Sequence, residues 1–140
     1  MDTLVTTLLD ADIYGRDVDL FLPRNWLNDS CINYCLRQFE IQLSNQEILL
    51  MDPSVVSFLR IQCDDEDEYT ELALGQQASL RTWIFMPVNN SESFENVSTH
   101  WSLLLLHTVS ARLFHFDSCG KSNKSAALST SVKLFKLMGW

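Results

Sequence analysis

The chain has 140 residues, a net charge of −8 and an apolar fraction of 46%. That length suits one domain, which can bury roughly 68–70% of its unfolded surface, and the apolar content argues against disorder. The acidic balance argues against nucleic acid as a partner, because phosphate contacts need clustered Lys and Arg, and it favours a basic partner or a basic peptide tail.

From the N-terminus, Met1-Asp2-Thr3-Leu4-Val5 has neither a basic n-region nor a long apolar core, so no signal peptide is expected. No apolar run approaches ~18 residues, so no membrane span is expected. A cytoplasmic or nuclear location follows as the expectation. The segment through Pro23 reads as irregular or weakly extended, with Asp17-Val18-Asp19-Leu20 alternating at period two. A helix follows, capped by Asn28 or Asp29, with Leu27, Cys31, Cys35 and Phe39 recurring every four residues and Ile32 and Leu36 widening the stripe. Asp52-Pro53 opens a second helix, with a cap followed by proline in the first helical position. Its apolar side is Val55, Val56, Phe58, Leu59 and Ile61.

The acidic run Asp64-Asp65-Glu66-Asp67-Glu68 reads as a solvated loop, with a short helix over 69–74 ending at Gly75. Three strand patterns follow, over 82–88, Trp101–His107 and Arg112–Phe116. The all-apolar stretch Leu103-Leu104-Leu105-Leu106 predicts cover on both faces. The last helix starts at Ser122 or Asn123, with Leu128, Val132 and Phe135 on one face, and runs through Gly139 to Trp140. A terminal Trp is expected either to dock on the core or to mark a chain cut short.

The four cysteines, Cys31, Cys35, Cys63 and Cys119, could form two disulfides by count, but without a secretory signal free thiols are expected. Asn-x-Ser patterns at Asn28, Asn89, Asn96 and Asn123 read as chance matches. Cys31 and Cys35 share a helix face inside an apolar stripe, and no further pair completes a tetrahedral set, so no metal site is expected.

The chemistry centres on His100, at the head of one strand pattern, and Asp117, at the tail of the next. If the two strands form an antiparallel hairpin through a turn near 108–111, opposed residues have numbers summing to roughly 217–219. His100 then faces a residue between Asp117 and Cys119, within reach of an imidazole–carboxylate hydrogen bond. Such a pair is the base and its orienting group in a nucleophilic triad. The plainer alternative is two polar residues that merely end strands. His107 and His115 lie on the opposite strand faces and read as surface or partly packed side chains.

Three motifs in this order, Trp26-Leu27-Asn28-Asp29, Thr99-His100-Trp101 and Phe116-Asp117-Ser118, resemble those of the Ulp-type, sentrin-specific cysteine proteases, along nearly the whole chain. The run Phe114-His115-Phe116-Asp117-Ser118 followed by Ser122-Asn123 looks most like the Nedd-specific branch, the deneddylases, with SUMO-specific proteases the nearest rival. The resemblance implies an α+β, papain-like fold and a single domain over 1–140, the N-terminal and central part of an Ulp-type protease domain. It implies His100 as general base, Asp117 as the orienting acid, and no metal or cofactor. It further implies Trp101 and Trp26 as the aromatic walls of a tunnel that admits only glycine, and Asp29 as an acidic contact to the tail. The implied partner is a ubiquitin-like modifier, Nedd-type before SUMO, with its conjugates. The acidic run at 64–68 would then either meet an Arg upstream in the tail or remain simply solvated.

The family's oxyanion Gln and Cys-Gly nucleophile lie beyond the Asp, past a helix and a further strand, and are not among these residues. Asp117-Ser118-Cys119-Gly120 holds a Cys-Gly of its own. A following helix N-terminus would favour a thiolate at Cys119, and Asp117 would oppose one. Cys119 is therefore a minor candidate, and no nucleophile is assigned. The expectation is a truncated relative of a deneddylase, inactive as given. Its rivals are a pseudo-protease that binds the modifier tail and a chain that does not fold alone.

Overall fold

The computed structural model describes residues 2–92 and 99–140. The chain divides into two compact units, Met1–Asn45 and Gln46–Trp140.

The first unit opens with an antiparallel hairpin, β1 (Leu4–Leu8) and β2 (Ala11–Tyr14), followed by one helical turn, α1 (Gly15–Val18), and a 3-10 turn, Asp19–Phe21. The extended reading of this segment holds over β1 and β2 and is corrected only from Gly15 to Phe21, where the chain is helical. At 17–20 the alternation loses to a local carboxylate: Asp17 is buried and accepts from Tyr14 N–H at 2.9 Å and from Asn28 Nδ2 at 2.8 Å. These bonds replace water on a buried charge and so hold the chain in a turn. Helix α2 (Asp29–Leu43) starts where expected, with the Asn28 side chain accepting from Cys31 N–H at 3.0 Å. Of the expected stripe only Cys31 is fully buried, and Leu27, Ile32, Cys35 and Leu36 are half-buried. Cys31, Asn33 and Arg37 are buried, while Phe39 is exposed. Asp10 explains the polar members in part: the Arg37 guanidinium lies 3.8 Å from Asp10 and 3.2 Å from Glu40, and Asn33 Nδ2 donates to Asp10 Oδ1 at 3.4 Å.

The second unit is a four-stranded sheet in the order β3-β4-β5-β6, from β3 (Ile48–Leu50), β4 (Trp83–Asn89), β5 (Trp101–His107) and β6 (Arg112–Phe116). β3 and β4 are parallel and the other pairs antiparallel. A parallel pair needs a long crossover, and α3 (Pro53–Ile61) and α4 (Glu66–Gly75) supply it. Asp52 caps α3 through Ser54 N–H at 2.8 Å. Three of the five residues of the acidic run prove to be helix rather than loop: Asp65 caps α4, and the Glu68 carboxylate accepts from the Asp65 N–H at 3.3 Å in a capping box. Acidic side chains at a helix start are favoured by its dipole.

Helix α5 (Lys124–Met138) packs on α3 and β4 through Ala127, Thr130, Leu134 and Leu137. The expected face is reversed, because Leu128 and Val132 are exposed. The core joins Met51, Val56, Leu59, Ile84, Met86, Leu104, Leu106 and Leu134. In β5 burial alternates, with Ser102, Leu104 and Leu106 buried and Leu103 and Leu105 half-buried, so only one face is fully covered. Gly139 ends α5 at φ 77°, a left-handed cap that suits glycine. Trp140 turns back onto the Phe135 ring at 5.6 Å and stays half exposed, rather than entering the core. All four cysteines are free. No helix among the described residues is long and apolar enough to cross a membrane.

Candidate active site

The β5–β6 hairpin has the register Leu103↔Phe116 through His107↔Arg112, a sum of 219 at each pair. Its loop closes with Ala111 at φ 53°. His100 immediately precedes β5 and Asp117 immediately follows β6. Straight continuation would set His100 opposite Cys119, but the chain turns at Asp117. The His100 Nε2 meets Asp117 Oδ1 at 2.5 Å. Side-chain exposure is 18% for His100 and 3% for Asp117, so the pair is screened from water but not sealed off. With Nε2 committed to the carboxylate, Nδ1 is the ring nitrogen through which His100 would take a proton from a nucleophile.

Asp117 is held by the turn that follows it. The Asn123 N–H donates to Oδ2 at 2.9 Å and the Cys119 N–H to Oδ1 at 2.9 Å. These two bonds, Asn123 first, and the His100 hydrogen bond outweigh desolvation and hold the carboxyl at about 2, below its ordinary 3.8. Asp117 is therefore a carboxylate across the physiological range, the form that orients and stabilises an imidazolium. On the other side, Asn90 Oδ1 accepts from the N–H of Thr99 at 3.0 Å and of His100 at 3.2 Å. Neither Asn90 nor Asn123 was singled out in the sequence as serving the site. Ser122-Asn123 stood out only within the family pattern and as a helix start, and Asn90 lay in a polar connection.

Trp101 pairs with Asn89 at the end of β4 and is half-buried. An open groove of about 690 Å³ runs along Trp101, Phe116, Asp117 and Ser118. Trp26 and Asp29 belong to the first unit, where Trp26 is 61% exposed and Asp29 is the first residue of α2. Cys119 is exposed, and its main chain rather than its thiol serves Asp117. Helix α5 starts only at Lys124, so Cys119 is not at a helix N-terminus as the sequence suggested. Burial pushes the Cys31, Cys35 and Cys63 thiols up, away from thiolate character. His107 is taken up by the Trp83 ring at 4.3 Å and His115 by Ser102 Oγ at 2.8 Å. The glycosylation patterns at Asn89 and Asn123 fall on buried side chains, Asn28 is a helix cap, and Asn96 lies outside the described residues. Among the described residues no group of three or more His, Cys, Asp or Glu is placed to hold a metal.

No family model matches the chain. It is 27% identical over 143 residues to sentrin-specific protease 8 of Rattus norvegicus, covering 99% of this chain and 65% of that protein. It is 31% identical over 122 residues to NEDD8-specific protease 2 of Schizosaccharomyces pombe, covering 81% of this chain and 29% of that protein. The chain thus spans just under two thirds of the rat relative. Among solved structures, the C-terminal Ulp1 protease domain in complex with Smt3, the yeast ortholog of SUMO, shares the fold with a TM-score of 0.71 at 19% identity, over 99% of this chain and 59% of that one. The α+β fold is the Ulp-type cysteine protease fold, and the similarity to sentrin-specific protease 8 and NEDD8-specific protease 2 supports an Ulp-type protease family, nearest to proteins of the NEDD8-specific branch.

Proposed function

We propose that these 140 residues form the N-terminal and central part of one Ulp-type protease domain. They supply the general base and orienting acid of a thiol-dependent protease or isopeptidase that acts at the C-terminal Gly-Gly of a ubiquitin-like modifier. The observation that carries this reading is the 2.5 Å bond from His100 Nε2 to Asp117 Oδ1, beside the Trp101 groove. Asp117 keeps the imidazole oriented, so that Nδ1 draws the proton from a thiol and later returns it to the leaving group. Trp101, Trp26 and Asp29 are proposed contacts to the tail, and a Nedd-type modifier is preferred to SUMO because named relatives include a NEDD8-specific protease. No thiol here is assigned as nucleophile.

Two measurements test this. The 140-residue chain, incubated with a modifier precursor or a Gly-Gly-linked conjugate, is expected to leave both intact; turnover above background overturns the assignment of no nucleophile. Titrated with Nedd-type modifier and with SUMO, it is expected to bind the former more tightly, and Trp101→Ala, and separately Trp26→Ala, to weaken that binding. Equal binding by the Trp101→Ala variant removes Trp101 from the proposal. The groove at Trp101 also supports a second reading, a pseudo-protease that binds the tail without cutting it. Binding with no turnover, in any longer form of the protein that contains these residues, is the result that reading requires.

A further inference from the structure

Asn123 stands at the N-cap position of α5, yet its side chain caps no helix N–H. The residue is 1% exposed, and its carboxamide points to the sheet instead. Nδ2 donates to the Val88 carbonyl on β4 at 3.0 Å and to Ser102 Oγ on β5 at 3.1 Å. Those two strands also carry the entry to His100. The carboxamide oxygen Oδ1 is buried without a hydrogen-bond partner. A buried polar atom left unpaired opposes folding, so an asparagine here is not explained by stability alone. Meanwhile the Asn123 main-chain N–H reaches back to Asp117 Oδ2 at 2.9 Å.

We propose that Asn123 is the positioning residue of the His100–Asp117 pair: its buried carboxamide pins the turn after β6 to β4 and β5, so that the N–H groups of Asn123 and Cys119 close on the carboxylate. The inference deepens the proposed function and rests on reading the pair as base and orienting acid. The turn is short and self-bonded, since Ser122 Oγ donates to the Cys119 carbonyl at 2.8 Å and Lys124 N–H to that of Lys121 at 3.1 Å. Anchored at one point, it moves as a unit. Released from that point, both main-chain donors drift from Asp117 together, and the carboxylate no longer holds the imidazole at one angle. Helix α5 and the core beneath it do not need this anchor, because α5 is seated through Ala127, Thr130, Leu134 and Leu137.

The test is solution NMR of the 140-residue chain. Asn123→Ala deletes the side-chain donors and keeps the main-chain N–H. In the unsubstituted chain the His100 Nε2 proton, assigned by its loss in His100→Gln, is expected far downfield, as suits a 2.5 Å bond. In Asn123→Ala that resonance is expected to move upfield or be lost to solvent exchange, and the Asp117 carboxyl to titrate nearer 3.8 than 2. Thr130→Ala, equally buried on α5 but away from the pair, is expected to lower the melting temperature and leave both signals in place. A folded Asn123→Ala that keeps both signals overturns the inference. Absence of a downfield His100 proton in the unsubstituted chain instead overturns the pairing itself, which separates the two failures. If Asn123→Ala does not fold, Ser102→Ala removes one of the two anchors, and the same shifts in smaller degree are then required.

Discussion

Asp117 concentrates most of what the site does, because its two oxygens collect donors from Asn123, Cys119 and His100. Its carboxyl lies at about 2 in the folded chain against 3.8 ordinarily, so the folded state binds the proton more weakly than the unfolded one. Its contribution to stability is therefore fully present above pH 3.8 and lost as the pH falls through about 2. The melting temperature of the chain should exceed that of Asp117→Asn at pH 6, and the gap should close across that window. A gap constant down to pH 2 would mean that the carboxylate is not specifically held. Cys119 offers a second test at this scale. Its thiol is exposed, and alkylation is expected at the rate of an ordinary surface cysteine, unchanged in His100→Ala. A rate that falls with His100 would make Cys119 the nucleophile. The pair was legible in the sequence because hairpin register is arithmetic. The two asparagines that hold it were not: the Asn123 carboxamide reaches Val88 and Ser102 on distant strands, and Asn90 reaches Thr99 and His100 across a polar connection with no periodic signal.

Elements were readable where a local signal closed on itself. The Asp52-Pro53 start of α3, the Asn28 cap of α2 and the register of the β5–β6 hairpin are short-range facts. The buried face of α5 is not. Leu128, Val132 and Phe135 form the more apolar stripe, yet Thr130, Leu134 and Leu137 are the buried set, because burial is decided by what α3 and β4 present to the helix. Leu134→Ala is accordingly expected to cost about 2–5 kcal/mol in urea unfolding, as befits a fully buried leucine. Val132→Ala is expected to cost within about 0.5 kcal/mol, as at an ordinary surface site. A reversed order would restore the face that the sequence suggested. The acidic run teaches the same lesson on a smaller scale: charge density indicated solvent, while Asp65 and Glu68 were a capping box.

At the scale of the molecule, the extended hydrophobic cluster and the His100–Asp117 pair both fall within the second unit, Gln46–Trp140. A segment comprising 46–140 is therefore expected to melt cooperatively and to keep the downfield His100 proton. A non-cooperative melt without near-ultraviolet dichroism would show that the core needs the first unit.

Caps and strand periodicity were enough to give a mixed α and β chain and the His–Asp hairpin, and three short motifs carried the resemblance to the Ulp-type proteases. Each rests on residues near one another in sequence or on a pattern carried along it. What waited for the folded chain was every choice between competing apolar or polar surfaces: which side of α5 is inside, that Asp17 is buried in a turn, that Cys119 serves the acid with its backbone. The same holds for the two asparagines beside the pair. Those choices turn on packing between distant segments, as for α5 and the Asn123 carboxamide, or on aperiodic turn bonds, as for Asp17 and Cys119, and no periodicity within a single segment carries either.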